Sequence, residues 1–352
     1  MGIYFSAATG WCSEDLDPRL QRAVSDGDVK RIQSLVRFWH CRCVNVNGRS
    51  RDGRTAMHVA AQKGQAEAIQ VLFRLGGKVQ IRTRKEAFYP VHDAALHGHT
   101  ECLRLLHRLG ADVDIHSVKG KRPVHMAASR GHNQTIEMLR DLGADLSVAT
   151  FDRETPAFFA AANGHVETLR LLHRLGVDLN APGGKDGERP IHLAAARGDD
   201  AMVEALASMS ADLSAKSTRN DLPAHKAAWN GHSGTLRLLH SLGANVTGES
   251  GKPWRPAIQA AVQGHVEVLR TLHELGADLA SPGKDIWSPA QHAANRGQLL
   301  ALKFLYDIKA VDVKTVLDME RHGLAKSECL EFLKEAQRKP DRFVDDAPPQ
   351  LQ

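Results

Sequence analysis

Aromatic side chains are scarce in this 352-residue chain: phenylalanine, tyrosine and tryptophan together make up only 5% of it. Cysteine is scarcer still. Five are present (Cys12, Cys41, Cys43, Cys102 and Cys329), an odd number without regular spacing. That pattern argues against a disulfide framework and suits a reducing compartment. Cys41-Arg42-Cys43, preceded by His40, has no second ligand pair at zinc-site spacing, so no metal is expected. No run of about 18 apolar residues occurs, which excludes a membrane-spanning helix of ordinary length. The first dozen residues have neither the basic start and apolar core of a secretory signal nor the arginines of a mitochondrial presequence. The expected location is the cytoplasm, with the nucleus left open. There is no GxxxxGK[ST] phosphate loop, no GxGxxG follows a strand, and "GHSGT" (231–235) reads as a helix start rather than a nucleophile elbow. Neither catalysis nor a cofactor is expected, and no small-molecule substrate is implied. The net charge of +5 permits an acidic partner without requiring one.

What the chain does contain is one phrase, written many times. "NGHVETLRLLHRLGVDLNA" (163–181) returns as "HGHTECLRLLHRLGADVDI" from His97, "NGHSGTLRLLHSLGANVTG" from Asn230 and "QGHVEVLRTLHELGADLAS" from Gln263. The glycine after each "AAxx" segment falls at 64, 98, 131, 164, 198, 231, 264 and 297, a beat of 33 or 34 residues. An X-Pro pair keeps the same beat upstream, from Tyr89-Pro90 to Ser288-Pro289. "LGAD" at Leu109, Leu142 and Leu275 keeps it downstream. A fixed period of this length marks a repeat array.

Each unit has a physical reading. Proline belongs at a helix start, where its missing N–H has no intrahelical partner. A short helix with paired alanines follows, as in Pro123-Val124-His125-Met126-Ala127-Ala128. Gly131 then ends it with a positive φ. A second helix carries apolar residues at helical spacing (Val166, Leu169, Leu172) and stops at another glycine. Neither helix can bury its apolar face alone, so the units must stack.

The stretches "RTAMHVAAQKGQ" (54–65), "RPVHMAASRGH" (122–132) and "RPIHLAAARGD" (189–199) resemble the ankyrin repeat. The resemblance covers roughly residues 15 to 320. It implies an all-α solenoid of stacked helix-turn-helix units with projecting β-hairpin-like loops. On this reading residues 1–14 are an N-terminal segment and 15–50 a degenerate cap repeat. Eight repeats fill 51–316, a helical cap follows at 317–338, and 339–352 is a disordered tail. The family pattern has Thr before the proline and His after it. Here Arg122, Arg189 and Arg255 replace the former, while Phe158, Ile258 and Gln291 replace the latter, and the three repeats that lose the histidine are expected to be softer.

Placed on the period, most histidines become architecture. His58, His92, His125, His192 and His225 share one repeat position; His99, His132, His165, His232 and His265 share another. Such ladders are expected to hydrogen-bond backbone within and between repeats.

In the ankyrin family recognition falls on the concave face, formed by the first helices and the loop tips. The candidate partner-binding residues there are Asp93, Leu96, Arg130, Asn163, Arg197, Lys226, Trp229, Gln263 and Arg296, with Trp254 and Trp287 near the tips. Trp229 is a large aromatic in a slot otherwise small or polar; it serves either as a binding hot spot or as packing for a neighbouring loop. The tips are mostly basic with aromatics interleaved, which suits an acidic protein partner. Arginine clustering is modest, so nucleic acid is the weaker alternative.

Two modification sites complete the reading. "MGIYFS" fits the N-myristoylation pattern with Gly2 as acceptor, and Cys12 is a palmitoylation candidate; either would make the protein a peripheral membrane tether. Leu172 followed at its spacing by Asp178-Leu179-Asn180 resembles the ankyrin pattern used by an asparaginyl hydroxylase, making Asn180 a hydroxylation candidate. The sequence thus points to a non-catalytic interaction scaffold or adaptor. A lipid-anchored tether and a nucleic-acid-associated regulator are the alternatives. The partner, the pathway and the oligomeric state are not written in it.

Overall fold

The structure, a computed structural model, describes residues 15–37, 44–247, 255–282 and 287–338. Among the described residues the chain is all-α, built of successive helix pairs, and it divides into two compact units. Unit 1 holds residues up to 178 together with 183–185; unit 2 holds 179–182 and the chain from 186.

Unit 1 pairs α1 (Pro18–Ser25) with α2 (Val29–Arg37), α3 (Ala56–Lys63) with α4 (Ala66–Arg74), and α5 (Pro90–Leu96) with α6 (Thr100–Arg108). It then pairs α7 (Pro123–Arg130) with α8 (Asn133–Asp141) and α9 (Pro156–Ala162) with α10 (Val166–Arg174). First helices pack on first helices and second on second, giving two layers. In unit 2 the pairs are α11 (Pro190–Arg197) with α12 (Asp200–Ser208), and α13 (Pro223–Asn230) with α14 (Ser233–Ser241). They continue with α15 (Pro256–Gln263) and α16 (Val266–Glu274), then α17 (Pro289–Arg296) and α18 (Leu299–Asp307). After α19 (Val313–Asp318) and a 3₁₀ turn (Met319–His322), α20 (Ser327–Arg338) closes the unit. There the N–H of Lys326 donates to Ala294 O at 3.0 Å, tying this non-repeat end to α17.

The alanine pairs explain the close first layer. Ala94/Ala95, Ala127/Ala128 and Ala160/Ala161 are all fully buried, small enough for neighbouring backbones to meet. The second layer fills its core with larger groups, Leu103 and Leu106, Ile136 and Leu139, Leu169 and Leu172, also fully buried. Burying such a leucine contributes about 2 kcal/mol against exposure, which is where the stack gets its stability.

Two histidine ladders hold the repeats in register. In the first, Nδ1 of His58, His92, His125, His192 and His225 accepts the N–H of the residue before the helix, at 2.9 to 3.3 Å. Nε2 of the first four donates to a carbonyl of the next turn (Phe88, Lys121, Val148 and Asp221) at 2.9 to 3.1 Å. That arrangement fixes the neutral tautomer. In the second ladder, Nε2 of His99, His132, His165, His232 and His265 donates back to the last carbonyls of the preceding first helix at 3.0 to 3.1 Å. These carbonyls have no intrahelical partner, so each rung satisfies a group that would otherwise need water. Position 199 breaks the second ladder: Asp199 accepts Met202 N at 3.0 Å and caps its own helix.

The marker glycine carries two constraints. Gly131 takes φ 71°, and a Cβ there would lie 2.8 Å from the His165 ring. It therefore ends one helix and seats the next repeat's imidazole. Other turn positions keep a positive φ even without glycine: Ala87, Arg153 and Asn220 at the tips, Ser210 and Lys309 after the second helices. The stack imposes that conformation on residues that resist it.

The projecting loops are tight, hairpin-like turns. Among the described residues they contain no paired strands. The turn at 117–121 is closed by Ser117 N to Lys121 O at 2.8 Å and Gly120 N to Ser117 O at 3.0 Å, and Val118 N to Glu86 O at 3.0 Å links it to the turn before. Where the family histidine is missing, other groups act. Thr155 Oγ1 accepts Phe158 N at 3.2 Å. Gln291 Oε1 accepts Ser288 N at 2.8 Å, doing the work of an imidazole Nδ1. Ile258 is fully buried, and Arg255 beside it reaches Asp278 at 3.1 Å.

Candidate functional site

The surface free to vary is made by the ends of the first helices and by the turns. Trp229, near the end of α13, is 43% exposed. Its equivalents in the other repeats (Gln62, Leu96, Ser129, Ala162, Ala196, Val262, Asn295) show that the stack does not call for an aromatic there. Among the described residues only its backbone is committed, the carbonyl accepting from His265 Nε2 at 3.0 Å. Arg130, Asn163, Arg197 and Arg296 are exposed at first-helix ends; Leu96 and Gln263 are half-buried. Asn163 folds its amide back onto Phe159 O at 2.8 Å. Trp287 is half-buried, its ring edge-on to His292 at 5.4 Å. Gly2, Cys12 and Trp254 lie outside the described residues.

Two of the expected contact residues have other work. Lys226, one turn before Trp229, is not a free cation: its Nζ lies 2.5 Å from Glu188 and 3.6 Å from Asp221, forming a half-buried triad. Asp93 is buried, 3% exposed, with Oδ1 2.9 Å from the Arg54 guanidinium and Oδ2 lacking a partner. Burial pushes its carboxyl up to about 6, against the opposing pull of Arg54. Arg54 also donates to Gln62 Oε1 at 3.1 Å, so the three form one polar cluster beneath the inner surface. A cleft of about 290 Å³ borders it, lined in part by Ser25, Ser50, Val59 and Lys63. Neither cluster was readable from the sequence, because the partners lie outside the aligned slot.

Asn180 sits in a structural series. Its Oδ1 accepts Asp212 N at 2.8 Å and its carbonyl accepts Arg189 Nε at 2.7 Å. Asn47 and Gln80 make the corresponding bond to Lys78 N and Asp112 N. Its side chain is half-buried.

The ladder imidazoles are held neutral. Desolvation lowers His58, His92 and His125 to about 4 in spite of their bonds to Phe88, Lys121 and Val148 carbonyls. His192 is lowered as well, again chiefly by burial. With Nδ1 accepting and Nε2 donating, none is placed to exchange a proton with a ligand. Among the described residues no group of three His, Cys, Asp or Glu could hold a metal ion, and no helix is long and apolar enough to cross a membrane.

The family described as ankyrin repeats (3 copies) matches residues 75–150 and 124–217, and that described as ankyrin repeats (many copies) matches 20–73 and 257–305. Together they span more than half of the chain, which belongs to the ankyrin repeat family. Among solved structures it is similar to the crystal structure of the human ASB11 ankyrin repeat domain, with a TM-score of 0.58 and 22% identity over 65% of this chain and 99% of that one. At that identity the likeness concerns the fold. No curated protein matches the sequence. Ankyrin repeats are protein–protein interaction modules, and the chain carries that coarse function.

Proposed function

We propose that this protein is a non-catalytic scaffold or adaptor whose partner docks on the first-helix face of unit 2, centred on Trp229. The carrying observation is the exposed indole in a slot that every other repeat fills with a smaller or aliphatic side chain. Covering the remaining surface of such a ring removes about 100 Å² from water, worth about 2 to 3 kcal/mol, the scale of a binding hot spot. The Lys226–Glu188–Asp221 triad beside it supports the face by fixing its polar rim.

The test is affinity capture from native lysate, comparing wild type with Trp229→Ala and, separately, Lys226→Ala. A partner lost with Trp229→Ala, while the thermal melt is unchanged, supports the reading. A partner list identical for all three chains refutes it.

A further inference from the structure

The turns of unit 1 carry a feature that the first-helix face does not explain. One slot recurs in successive turns, defined by a backbone N–H that reaches the turn before. Arg84 N donates to Asp52 O at 3.3 Å, Val118 N to Glu86 O at 3.0 Å and Phe151 N to Lys119 O at 3.2 Å. In unit 2 Thr218 N donates to Asp186 O at 2.9 Å in the same way. Arginine and threonine therefore satisfy this slot, and nothing in the turn requires an apolar side chain. Yet two consecutive turns place Val118 and Phe151 there, 59% and 70% exposed.

We propose that Val118 and Phe151 form a docking patch for an acidic segment of a partner protein that carries a large apolar side chain. The proposal rests on the reading of this chain as a protein-interaction module and names a second site on it. The pair is preorganised. The Phe151 ring lies on Gly120, where a Cβ would come within 2.9 Å of its Cδ1, and meets the His116 ring edge-on at 5.7 Å. A rigid aromatic held out of the core loses little freedom on binding, so contact made there is retained as affinity.

Charge complementarity selects the partner. Arg84, Lys85 and Lys119 flank the pair, all exposed, and among the described residues none is paired with a carboxylate. Lys121 is half-buried over the Phe159 ring, 4.9 Å from its centroid. An acidic segment gains from this rim. Exposed Glu86 and Asp152 also border the pair, so the segment's carboxylates belong on the Arg84, Lys85 and Lys119 side of it, and the chain's membership of a protein-interaction family favours a protein segment over an anionic bilayer.

The experiment pans a random-peptide phage library on the full chain and measures the enriched sequences, fluorescein-labelled, by anisotropy. The expected peptides combine Asp or Glu with Phe, Trp or Leu and weaken as salt rises. A Val118→Thr, Phe151→Thr double variant should weaken them by about tenfold or more, the effect of removing an aromatic anchor. The Thr218 slot indicates that this variant folds, and circular dichroism checks it. Lys85→Glu, Lys119→Glu should weaken them too, while Trp229→Ala leaves them unchanged. Peptides without acidic residues, or binding indifferent to the threonine variant, would overturn the patch. Peptides lost only with Trp229→Ala would overturn it while upholding the first-helix site; no peptide at all would count against both. Phosphatidylcholine–phosphatidylserine vesicles bound by wild type but not by the threonine variant, with no acidic peptide enriched, would reassign the pair to a membrane and overturn the proposal.

Discussion

Acid should unfold unit 1 well before its surface carboxylates titrate. His58, His92 and His125 are neutral in the native state at about 4, while in the unfolded chain they return to about 6.5. A folded value below the unfolded one means that unfolding takes up protons. The stabilisation is complete above pH 6.5 and is lost as pH falls toward 4. Per imidazole the loss between pH 8 and pH 5 is about 2 kcal/mol, or about 6 kcal/mol for the three acting independently. Asp93 works the other way: raised to about 6, it takes up its proton in the folded state and returns about 1 kcal/mol over the same interval. Asp114, raised chiefly by burial despite its pairing with Arg122, acts in the same direction as Asp93. The charged groups beside the imidazoles are Arg49 and Arg54 at His58 and Arg122 at His125, all cations that oppose protonation. The net loss is about 4 to 5 kcal/mol, which at typical urea sensitivities lowers the unfolding midpoint by about 2 M. Urea titrations at pH 8 and pH 5, followed by far-ultraviolet circular dichroism, measure it. His125→Gln imitates the exchange already present at Gln291 and should remove about 2 kcal/mol of the pH dependence. A midpoint that hardly moves between the two pH values, or a His58, His92, His125 triple glutamine variant as acid-sensitive as wild type, would refute the reasoning.

Gly198→Ala and Gly143→Ala should differ although both alter a positive φ. The first also drives a Cβ to 2.5 Å from the His232 ring, the second meets nothing within 4 Å, so thermal melts should show about 1 kcal/mol for Gly143→Ala and clearly more for Gly198→Ala. Lys309→Gly, at φ 59°, should raise stability by about 1 kcal/mol in the same assay by relieving an enforced left-handed residue. Cys102 is fully buried, and desolvation pushes its thiol up to about 11, so brief iodoacetamide treatment with peptide mapping should leave it unlabelled until the chain is denatured.

The period made the fold legible, because stacking places the same demand on the same position in every unit. Prolines, alanine pairs and marker glycines all followed from it, and both histidine ladders were visible as columns before their partners were known. What stayed hidden depended on contacts that cross columns. Lys226 reads as a free cation on the inner face until Glu188 and Asp221, from two different turns, are found against it. Asp93 reads as a surface carboxylate until Arg54 and the neighbouring helices bury it. Gln298 continues the second ladder, donating to Val262 O at 3.2 Å, but a column searched for imidazole passes over an amide. Val118 and Phe151 were visible as residues. Their meaning needed the backbone bonds that put them in one slot with Arg84 and Thr218.

Phe158 stands where five other repeats of the chain carry an imidazole, and its ring lies instead against Gly183, where a Cβ would fall 2.6 Å from Cδ2. The two positions are therefore no longer free to vary separately. A side chain at 183 forces the phenyl ring to shift, and once position 158 is small the nearest obstacle left is Arg153 O at 3.3 Å. Glycine at 183 is the residue that accommodates phenylalanine at 158 without moving its ring. A substitution scan of the wild-type chain would score Gly183 as intolerant; the same scan on Phe158→Ala would not, and the difference between the two measures how far one lost histidine constrains a residue twenty-five positions away.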